Sequence, residues 1–332
     1  MTSIASDDCI IRSAPSRSCI ACGHEGVELY EGLEDPICGT PGRWRMVRCP
    51  EPQCGMLWLD PKPLACDLIK AYATYHTHSR PARGAAALGL SALNSACKLT
   101  SRLFELGSEL GRQRRRLRTM FLGTAVAGRL LEVGCGSGHF LNRMRLGGWQ
   151  VQGTDFDPAV AQRVRNKYGL QIDVGDLAAL RYPEGTYDAV AMSQVIEHVH
   201  EPLALLKECR RVLRPGGRIV LSTPNAAGLA HRRYGRYWRG LEPPRHLHIF
   251  TPSALAECVR ASGLHVELLR TLSAESAGIY RASDEIRKVQ GDNHSGAAVR
   301  SIIRSWFLRY TEYRQTLREA AAGQDILLIA AK

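Results

Sequence analysis

The chain has 332 residues, of which 45% are hydrophobic and 23% charged, so it exceeds one typical domain and can bury a sizeable core. It contains no run of eighteen apolar residues, and the polar segment 1–8 lacks the apolar region of a signal peptide. We therefore expect a cytoplasmic protein without a transmembrane segment. The net charge of +12 leaves two interpretations open, a basic surface that aids solubility or a face for an anionic partner.

The chain divides into four segments. We expect residues 1–16 to be disordered, residues 17–63 to form a small module rich in Cys, Gly and Pro, and residues 64–127 to form a helical linker or lid. In residues 128–332 strand-like and helix-like runs alternate, which indicates a parallel sheet. The predicted strands are 129–133, 151–155, 170–174, 189–193, 218–223, 264–269 and 325–330. Helices are predicted at 139–147, 158–168, 202–213 and 297–322. The fold class is thus α/β, a doubly wound, seven-stranded, mostly parallel sheet.

Seven of the eleven cysteines lie within the first 66 residues. In a reducing compartment such clustering indicates a metal before it indicates disulfides. Thiolates bind zinc tetrahedrally, and two short turns allow four sulfurs to converge. We therefore predict a structural zinc site, with Cys38 as an alternative ligand and reduced cysteines without metal as the competing interpretation. The predicted ligands are Cys19, Cys22, Cys49 and Cys54.

A glycine-rich turn follows the first strand of the α/β region, at Glu132–Gly138. Glycine permits positive φ and a close approach of the backbone to a ligand, and the following helix presents free N–H groups to a carboxylate. The dinucleotide pattern Gly-x-Gly-x-x-Gly is not met, because His139 stands at its last position. S-adenosylmethionine carries no phosphate and suits this turn, with Glu132 either holding its ammonium directly or positioning the turn.

Acidic residues follow the next two strands. Asp155 can accept both ribose hydroxyls as a pair of hydrogen bonds. Asp157 competes for that role, although its place before Pro158 favours a helix N-cap. Asp176 can accept from the adenine amino group. The predicted cofactor-binding residues from these strands are Glu132, Gly134, Cys135, Gly136, Gly138, Asp155, Phe156, Asp176 and Leu177.

From about residue 128 to 269 the sequence resembles class I S-adenosylmethionine-dependent methyltransferases. It is most similar to the branch that includes ubiquinone-pathway O-methyltransferases and sugar-modifying enzymes. Tyr187–Val190, Gln194–Val199 and Leu213–Gly217 carry this similarity. The resemblance implies that Gln194 binds the methionine part of the cofactor, and that Glu197 and His198 lie near the substrate mouth.

The cysteine pairs together with 59–63 resemble the N-terminal zinc ribbon of methyltransferases of sugar and polysaccharide biosynthesis. One departure is that four residues separate Cys49 from Cys54, where that family has two. The resemblance implies structural Zn²⁺ and a small-molecule or glycan acceptor, including a phosphorylated one, from sugar, polysaccharide or natural-product biosynthesis.

Methyl transfer to O or C often requires removal of a proton, a task suited to histidine. In the zinc-ribbon sugar C-methyltransferases a histidine four residues before a Phe acts as base, and His246 has that place here. Arg245 stands where the family has Glu, so the partner that orients the base is open, and Arg245 is itself a candidate ligand for an anionic substrate. His198 is the second candidate base, and Tyr75, beside Tyr72, falls in a tyrosine-rich substrate-lining segment. A buried structural role is the alternative for each histidine and tyrosine.

Two basic segments have different interpretations. Residues 112–118 are most simply a solvated helix face. In residues 231–239 basic and aromatic residues interleave, which suits a phosphorylated or isoprenoid-linked acceptor, or RNA. Nucleic acid ranks second, because the strand exit Ser193-Gln194-Val195 lacks the motifs of nucleobase methylation. A non-catalytic binding module, using the ribbon to hold a partner, is the remaining alternative.

Overall fold

The computed structural model describes residues 10–72, 107–290 and 298–332. The strands are β1 (Ser13–Ala14), β2 (Val27–Leu33), β3 (Trp44–Arg48), β4 (Leu57–Leu59), β5 (Lys62–Pro63), β6 (Arg129–Val133), β7 (Gln150–Asp155), β8 (Ile172–Val174), β9 (Tyr187–Ser193), β10 (Leu213–Pro224), β11 (His248–Ile249), β12 (His265–Leu272) and β13 (Asp325–Ala331).

The α-helices are α1 (Ala65–Leu68), α2 (Glu109–Leu117), α3 (His139–Leu146), α4 (Pro158–Tyr168), α5 (Pro202–Val212), α6 (Leu229–Tyr234), α7 (Pro252–Ala261), α8 (Ser276–Val289) and α9 (Ala298–Thr316). Short 3₁₀ turns occupy Ile69–Tyr72, Ile196–His198, Gly235–Tyr237 and Arg239–Leu241. Of the predicted catalytic residues, Tyr75 lies outside the described residues.

The central sheet has seven strands in the order β12-β13-β10-β9-β6-β7-β8. The five strands from β10 to β8 are parallel, whereas β13 runs antiparallel to both of its neighbours. This arrangement confirms the predicted doubly wound, mostly parallel sheet, and it is Rossmann-like. From β6 the chain continues to one edge of the sheet through β7 and β8, and it then crosses back to β9 and the other edge. The direction therefore reverses between β6 and β9. Ligands of such sheets bind at this topological switch point.

Several elements differ from the prediction. Arg214–Gly217, predicted as a turn, lies inside β10, where the pairing with β9 shifts register between Leu213 and Arg218. Gly216 adopts φ +73° there, which an irregularity in a strand tolerates. Helices α6, α7 and α8 were not predicted. The buried face of α8 includes Ser283 and Asp284 and so lacks a clear apolar period.

The N-terminal cysteine-rich part forms a second sheet, with the order β11-β4-β3-β2 and antiparallel pairing throughout. Strand β11 comes from residues 248–249, far along the chain, and pairs with Leu57 and Trp58. Ser13–Ala14, in the segment expected to be disordered, pairs with Lys62–Pro63. The N-terminal part is therefore joined to the α/β part by backbone hydrogen bonds.

The apolar core is continuous between the two parts. Met56 and Trp58 belong to the same buried cluster as Phe250, Leu255 and Cys258. Burial of this surface couples the two sheets, since apolar area removed from water stabilises at about 25 cal/mol per Å². In the described ranges, no helix is both long and apolar enough to cross a membrane.

Candidate cofactor and acceptor site

The glycine turn begins where β6 ends and is tied to β7. Gly134 N–H and Cys135 N–H both donate to Thr154 O at 2.9 Å. Gly134 has φ +71°, and a Cβ there would stand 2.5 Å from Val195 Cγ2, so only glycine fits. Gly136 has φ +47°, but a Cβ built on it would meet nothing within 4 Å, because this residue faces open space.

Asp155, at the end of β7, holds this turn with its side chain. Its Oδ2 accepts from Gly136 N–H at 3.0 Å and its Oδ1 from Asp157 N–H at 3.1 Å. The carboxylate is buried, and burial raises its pKa. Asp157 acts as the N-cap of α4 by accepting from Ala159 N–H at 2.8 Å, with Pro158 in the first turn.

Glu132 lies beneath the turn, fully enclosed. Burial, followed by the nearby charge of Asp155, raises its pKa well above the usual range. Its Oε2 is buried without a hydrogen-bond partner, whereas the backbone of Leu141 donates to the carboxyl group. Glu132 therefore braces the start of α3 from inside the protein.

A cavity of about 850 Å³ opens at this edge of the sheet. Six of the predicted cofactor-binding residues line it, namely Gly134, Gly136, Asp155, Phe156, Asp176 and Gln194. The other four lie beneath or beside it, namely Glu132, Cys135, Gly138 and Leu177. The structure thus brings the ends of β6, β7, β8 and β9 together around one space.

The outer wall of the cavity comes from segments that the sequence analysis did not assign to the site. Ala65, Leu68 and Ile69 approach from the N-terminal side, and Ala204 and Leu205 from α5. These apolar side chains carry no motif, and their only signal is the helical spacing of Leu68 and Tyr72. Tyr72, which we had placed in a substrate-lining segment beside Tyr75, does line the cavity, with its ring 5.2 Å from that of Phe156.

The two candidate bases lie one behind the other, with their rings edge to face at an interplanar angle of 72°. His198 lines the cavity, whereas His246 is 5% exposed, with its ring 4.7 Å from that of His198. His198 Nδ1 lies 3.0 Å from both the hydroxyl of Tyr72 and the carbonyl oxygen of Arg245. A carbonyl only accepts, so Nδ1 carries the proton and Nε2 keeps a basic lone pair. Burial lowers the pKa of His198, which keeps the ring neutral at pH 7.

His246 is positioned by contacts on the side away from the cavity. Its Nδ1 donates to Gly240 O at 2.8 Å, and its Nε2 lies 3.5 Å from Glu242 Oε2. Burial lowers the pKa of His246 to about 3. Burial alone would raise the pKa of Glu242, but the guanidinium groups of Arg239 and Arg245 hold it below its usual range. The acidic neighbour of His246 is thus Glu242, four residues before it, and not the preceding residue.

Arg245 is fully buried and does not face the cavity, so its suggested role as a ligand for an anionic substrate is wrong. Its Nη1 donates to Asp35 Oδ2 and to Thr40 Oγ1, both at 2.8 Å, and its Nε to Glu242 Oε1 at 3.0 Å. It also contacts Ala71 O at 3.1 Å. Arg245 joins the N-terminal part to the α/β part.

The basic and aromatic segment 231–239 is also structural and does not line the cavity. Trp238 is buried, and Tyr234 donates to Asp284 Oδ1 at 2.8 Å. Arg232 pairs with Glu319, and Arg236 donates to Glu31 O. The suggestion that this segment holds an acceptor at the active-site mouth is therefore wrong.

The four predicted zinc ligands converge. Their sulfurs lie within 4.8 Å of one another, with Cys22 and Cys49 at 3.3 Å and Cys19 and Cys54 at 3.6 Å. Cys38 is not in this group and lies near Asp35 and Arg245 instead. The longer loop before Cys54 still returns its sulfur to the cluster, because Cys54 N–H and Gly55 N–H both donate to Glu51 O.

The fold and the cavity define a class. A Rossmann-like sheet has a glycine turn after its first parallel strand, a carboxylate after the second and another after the third, all around one space at the switch point. This is the arrangement of an α/β protein that binds an adenosine-containing cofactor.

Comparison with known proteins identifies the family. Residues 95–269, more than half of the chain, match the methyltransferase domain family, and the chain belongs to it. A Mycolicibacterium smegmatis protein named "Probable S-adenosylmethionine-dependent methyltransferase" is 36% identical over 143 residues, which are 42% of this chain and 54% of that protein. A ubiquinone biosynthesis O-methyltransferase of Xanthomonas axonopodis is 34% identical over 153 residues, 42% of this chain and 63% of the relative.

The match is therefore confined to part of each protein, and it spans less than two thirds of the length of these curated relatives. Among solved structures, an S-adenosylmethionine-dependent methyltransferase from Archaeoglobus fulgidus is 20% identical with a TM-score of 0.47, over 69% of this chain and 98% of that one.

Proposed function

We propose that this protein transfers a methyl group from S-adenosylmethionine to an oxygen or carbon atom of a small-molecule or glycan acceptor. The observation that carries the proposal is the cavity in which Gly136, Asp155 and Asp176 meet, in a chain of the methyltransferase domain family. The name of the Xanthomonas relative supports an oxygen acceptor, and the resemblance of the cysteine-rich part to sugar methyltransferases supports a glycan.

The residues present fit the cofactor. Gly136 leaves open space where any side chain would project, which suits close contact with the amino acid part. Asp155 keeps acceptor capacity for ribose hydroxyls beyond its two backbone bonds, since an ionised carboxylate has about four lone-pair sites. Phe156 and Asp176 both line the cavity, where they would flank adenine, Phe156 by stacking on the base and Asp176 by accepting a hydrogen bond from it. Glu132 supports the turn from below.

His198 is the base that this geometry supports best. It lines the cavity, is neutral at pH 7, and has its tautomer set by the carbonyl of Arg245. Bound S-adenosylmethionine supplies an activated methyl group, so the protein's tasks are to orient the acceptor and to take its proton. Tyr72, hydrogen-bonded to His198, is placed to orient the acceptor or the base.

Binding of S-adenosylmethionine to the purified full chain tests the cofactor assignment. We expect saturable binding at one site by equilibrium dialysis with labelled cofactor, and displacement by S-adenosylhomocysteine but not by NAD⁺. Absence of binding, or displacement by NAD⁺, would show that the assignment is wrong. Acceptors are then screened by transfer of label from the methyl group, beginning with nucleotide sugars and phenolic compounds.

The roles of the two histidines are separated by turnover. With an acceptor in hand, His198→Ala is expected to lower kcat by roughly 100-fold or more, the usual contribution of a general base, while cofactor affinity stays unchanged. His246→Ala is expected to lower kcat less, because His246 supports His198 from behind. A larger loss in His246→Ala than in His198→Ala would instead assign the base to His246.

We propose further that the four clustered cysteines hold a structural Zn²⁺. Four sulfur donors within 4.8 Å of one another match the ligand set of a closed tetrahedral site. Their position supports a role in folding, since Cys19, Cys49 and Cys54 belong to the buried core cluster that the N-terminal part shares with the α/β sheet.

Metal analysis tests this proposal. We expect about one zinc per chain by mass spectrometry of the purified protein, lost in Cys19→Ser and in Cys54→Ser, with earlier thermal unfolding in both variants. Cys38→Ser is the matched control, because this buried cysteine lies outside the cluster. Zinc content that is unaffected by Cys19→Ser would contradict the assignment.

A further inference from the structure

Helix α9 carries a stripe of exposed apolar side chains. Ile303, Phe307 and Tyr310 recur at intervals of four and three residues, and Leu317 is a further exposed apolar residue just after the end of the helix. All four are exposed, Ile303 by 56% and Phe307 by 67%. An apolar stripe on the outside of a helix usually marks a surface that meets another apolar phase.

The opposite face of α9 already anchors the helix. Ile302, Leu308 and Glu312 are buried, and Glu312 accepts from the hydroxyl of Tyr280 at 2.6 Å and from Gln324 N–H at 2.9 Å. The helix therefore does not need the exposed stripe to hold its place. Ile303 and Phe307 remain more than half exposed on the other side of the helix.

Arginines accompany the stripe. Arg300 and Arg314 are exposed on the same side of the helix, Arg318 is exposed just after its end, and Arg304, at the border of the stripe, lies 3.7 Å from Asp284. The one described acidic residue of the helix, Glu312, is on the buried face. This face thus combines apolar and cationic side chains without an exposed acid on the helix itself.

We propose that this face of α9 docks the protein onto an anionic phospholipid surface. The stripe would insert into the interfacial region of the bilayer, and the arginines would contact lipid phosphates, as in other interfacial helices. A second copy of the chain is a less suitable partner, because a symmetric dimer through this face would bring the arginines of the two copies together and they would repel each other. Two of the four apolar side chains, Ile303 and Leu317, are aliphatic and offer no ring on which a base could stack, which favours a lipid interface over single-stranded nucleic acid.

Vesicle co-sedimentation of the full chain tests the proposal. Vesicles of phosphatidylcholine alone are compared with vesicles that contain about one quarter phosphatidylglycerol, at physiological salt. We expect partition onto the anionic vesicles only. The double variant Ile303→Glu/Phe307→Glu is expected to lower the partition coefficient about tenfold or more, because two inserting side chains become anionic.

The matched control is Val126→Glu/Leu146→Glu. It makes the same change of charge at two apolar residues that are 92% and 75% exposed outside α9. Circular dichroism and cofactor binding verify that both variants fold. Absence of partition by the unmodified chain, or an equal loss in the control variant, would overturn the proposal. Two other results would also overturn it. One is a dimer in sedimentation equilibrium that Ile303→Glu/Phe307→Glu abolishes. The other is binding to single-stranded RNA, without binding to vesicles, that the same variant abolishes.

Discussion

Asp155→Ala is expected to raise the dissociation constant of S-adenosylmethionine by about 100-fold or more. Two effects add: loss of the pair of hydrogen bonds that we propose Asp155 accepts from the ribose, each about 1.5–3 kcal/mol for a charged acceptor, and loosening of the turn that Asp155 holds through Gly136 N–H. The measurement is isothermal titration calorimetry of the folded variant.

Asp188→Ala is the matched control for this substitution. Asp188 also accepts from a backbone amide, Arg129 N–H at 2.6 Å, but it lies at the opposite end of β9 from the cavity. We expect its removal to lower stability and to leave cofactor affinity within about twofold. If Asp155→Ala bound the cofactor as tightly as Asp188→Ala does, the cavity would have to serve another ligand.

Arg245→Met is expected to lower the free energy of unfolding by about 3–5 kcal/mol, the usual effect of breaking a buried ion pair. The change leaves the carboxylates of Asp35 and Glu242 buried without their shared cation. It also removes hydrogen bonds to Thr40 and Ala71, which are among the polar contacts between the N-terminal and α/β parts. Urea denaturation followed by tryptophan fluorescence gives the value.

Arg214→Met provides the comparison, because Arg214 pairs with Asp188 at 2.7 Å while remaining 59% exposed. An exposed pair contributes about 0–1 kcal/mol, so this variant should unfold nearly as the unmodified protein does. A double variant, Arg245→Met with Asp35→Asn, should lose less than the sum of the single changes, since Asp35 is no longer left charged. Equal effects of Arg245→Met and Arg214→Met would show that the buried network is not a stabilising link.

Much of the cofactor cavity could be read from the sequence because its features are local. A glycine that needs positive φ, such as Gly134, and an acid at the end of a strand, such as Asp155, are recorded in a few consecutive residues. Parallel strands place their carboxyl ends at one edge of the sheet, so the residues that follow these strands lie close together in the fold. The cysteine pairs could be recognised for the same reason, because each pair lies within a few consecutive residues.

The roles of Arg245 and of the two histidines could not be read in this way. Arg245 lies 210 residues from Asp35 along the chain, and only their packing shows that it is a buried link and not a ligand for substrate. Likewise, family spacing favoured His246, yet the fold sets His198 between it and the cavity. Spacing along the chain carries no information about which of two adjacent rings faces a cavity.

The sequence by itself determined the doubly wound sheet, the glycine turn with its acids, and the grouping of four cysteines, because each depends on periodicity or on short-range turn chemistry. Only the tertiary structure decided that β11 completes the N-terminal sheet, that the basic segment 231–239 is occupied by internal partners, and that α9 exposes an apolar face. These features depend on which surfaces remain after residues distant in sequence have packed together, and burial of that kind is a property of the whole chain.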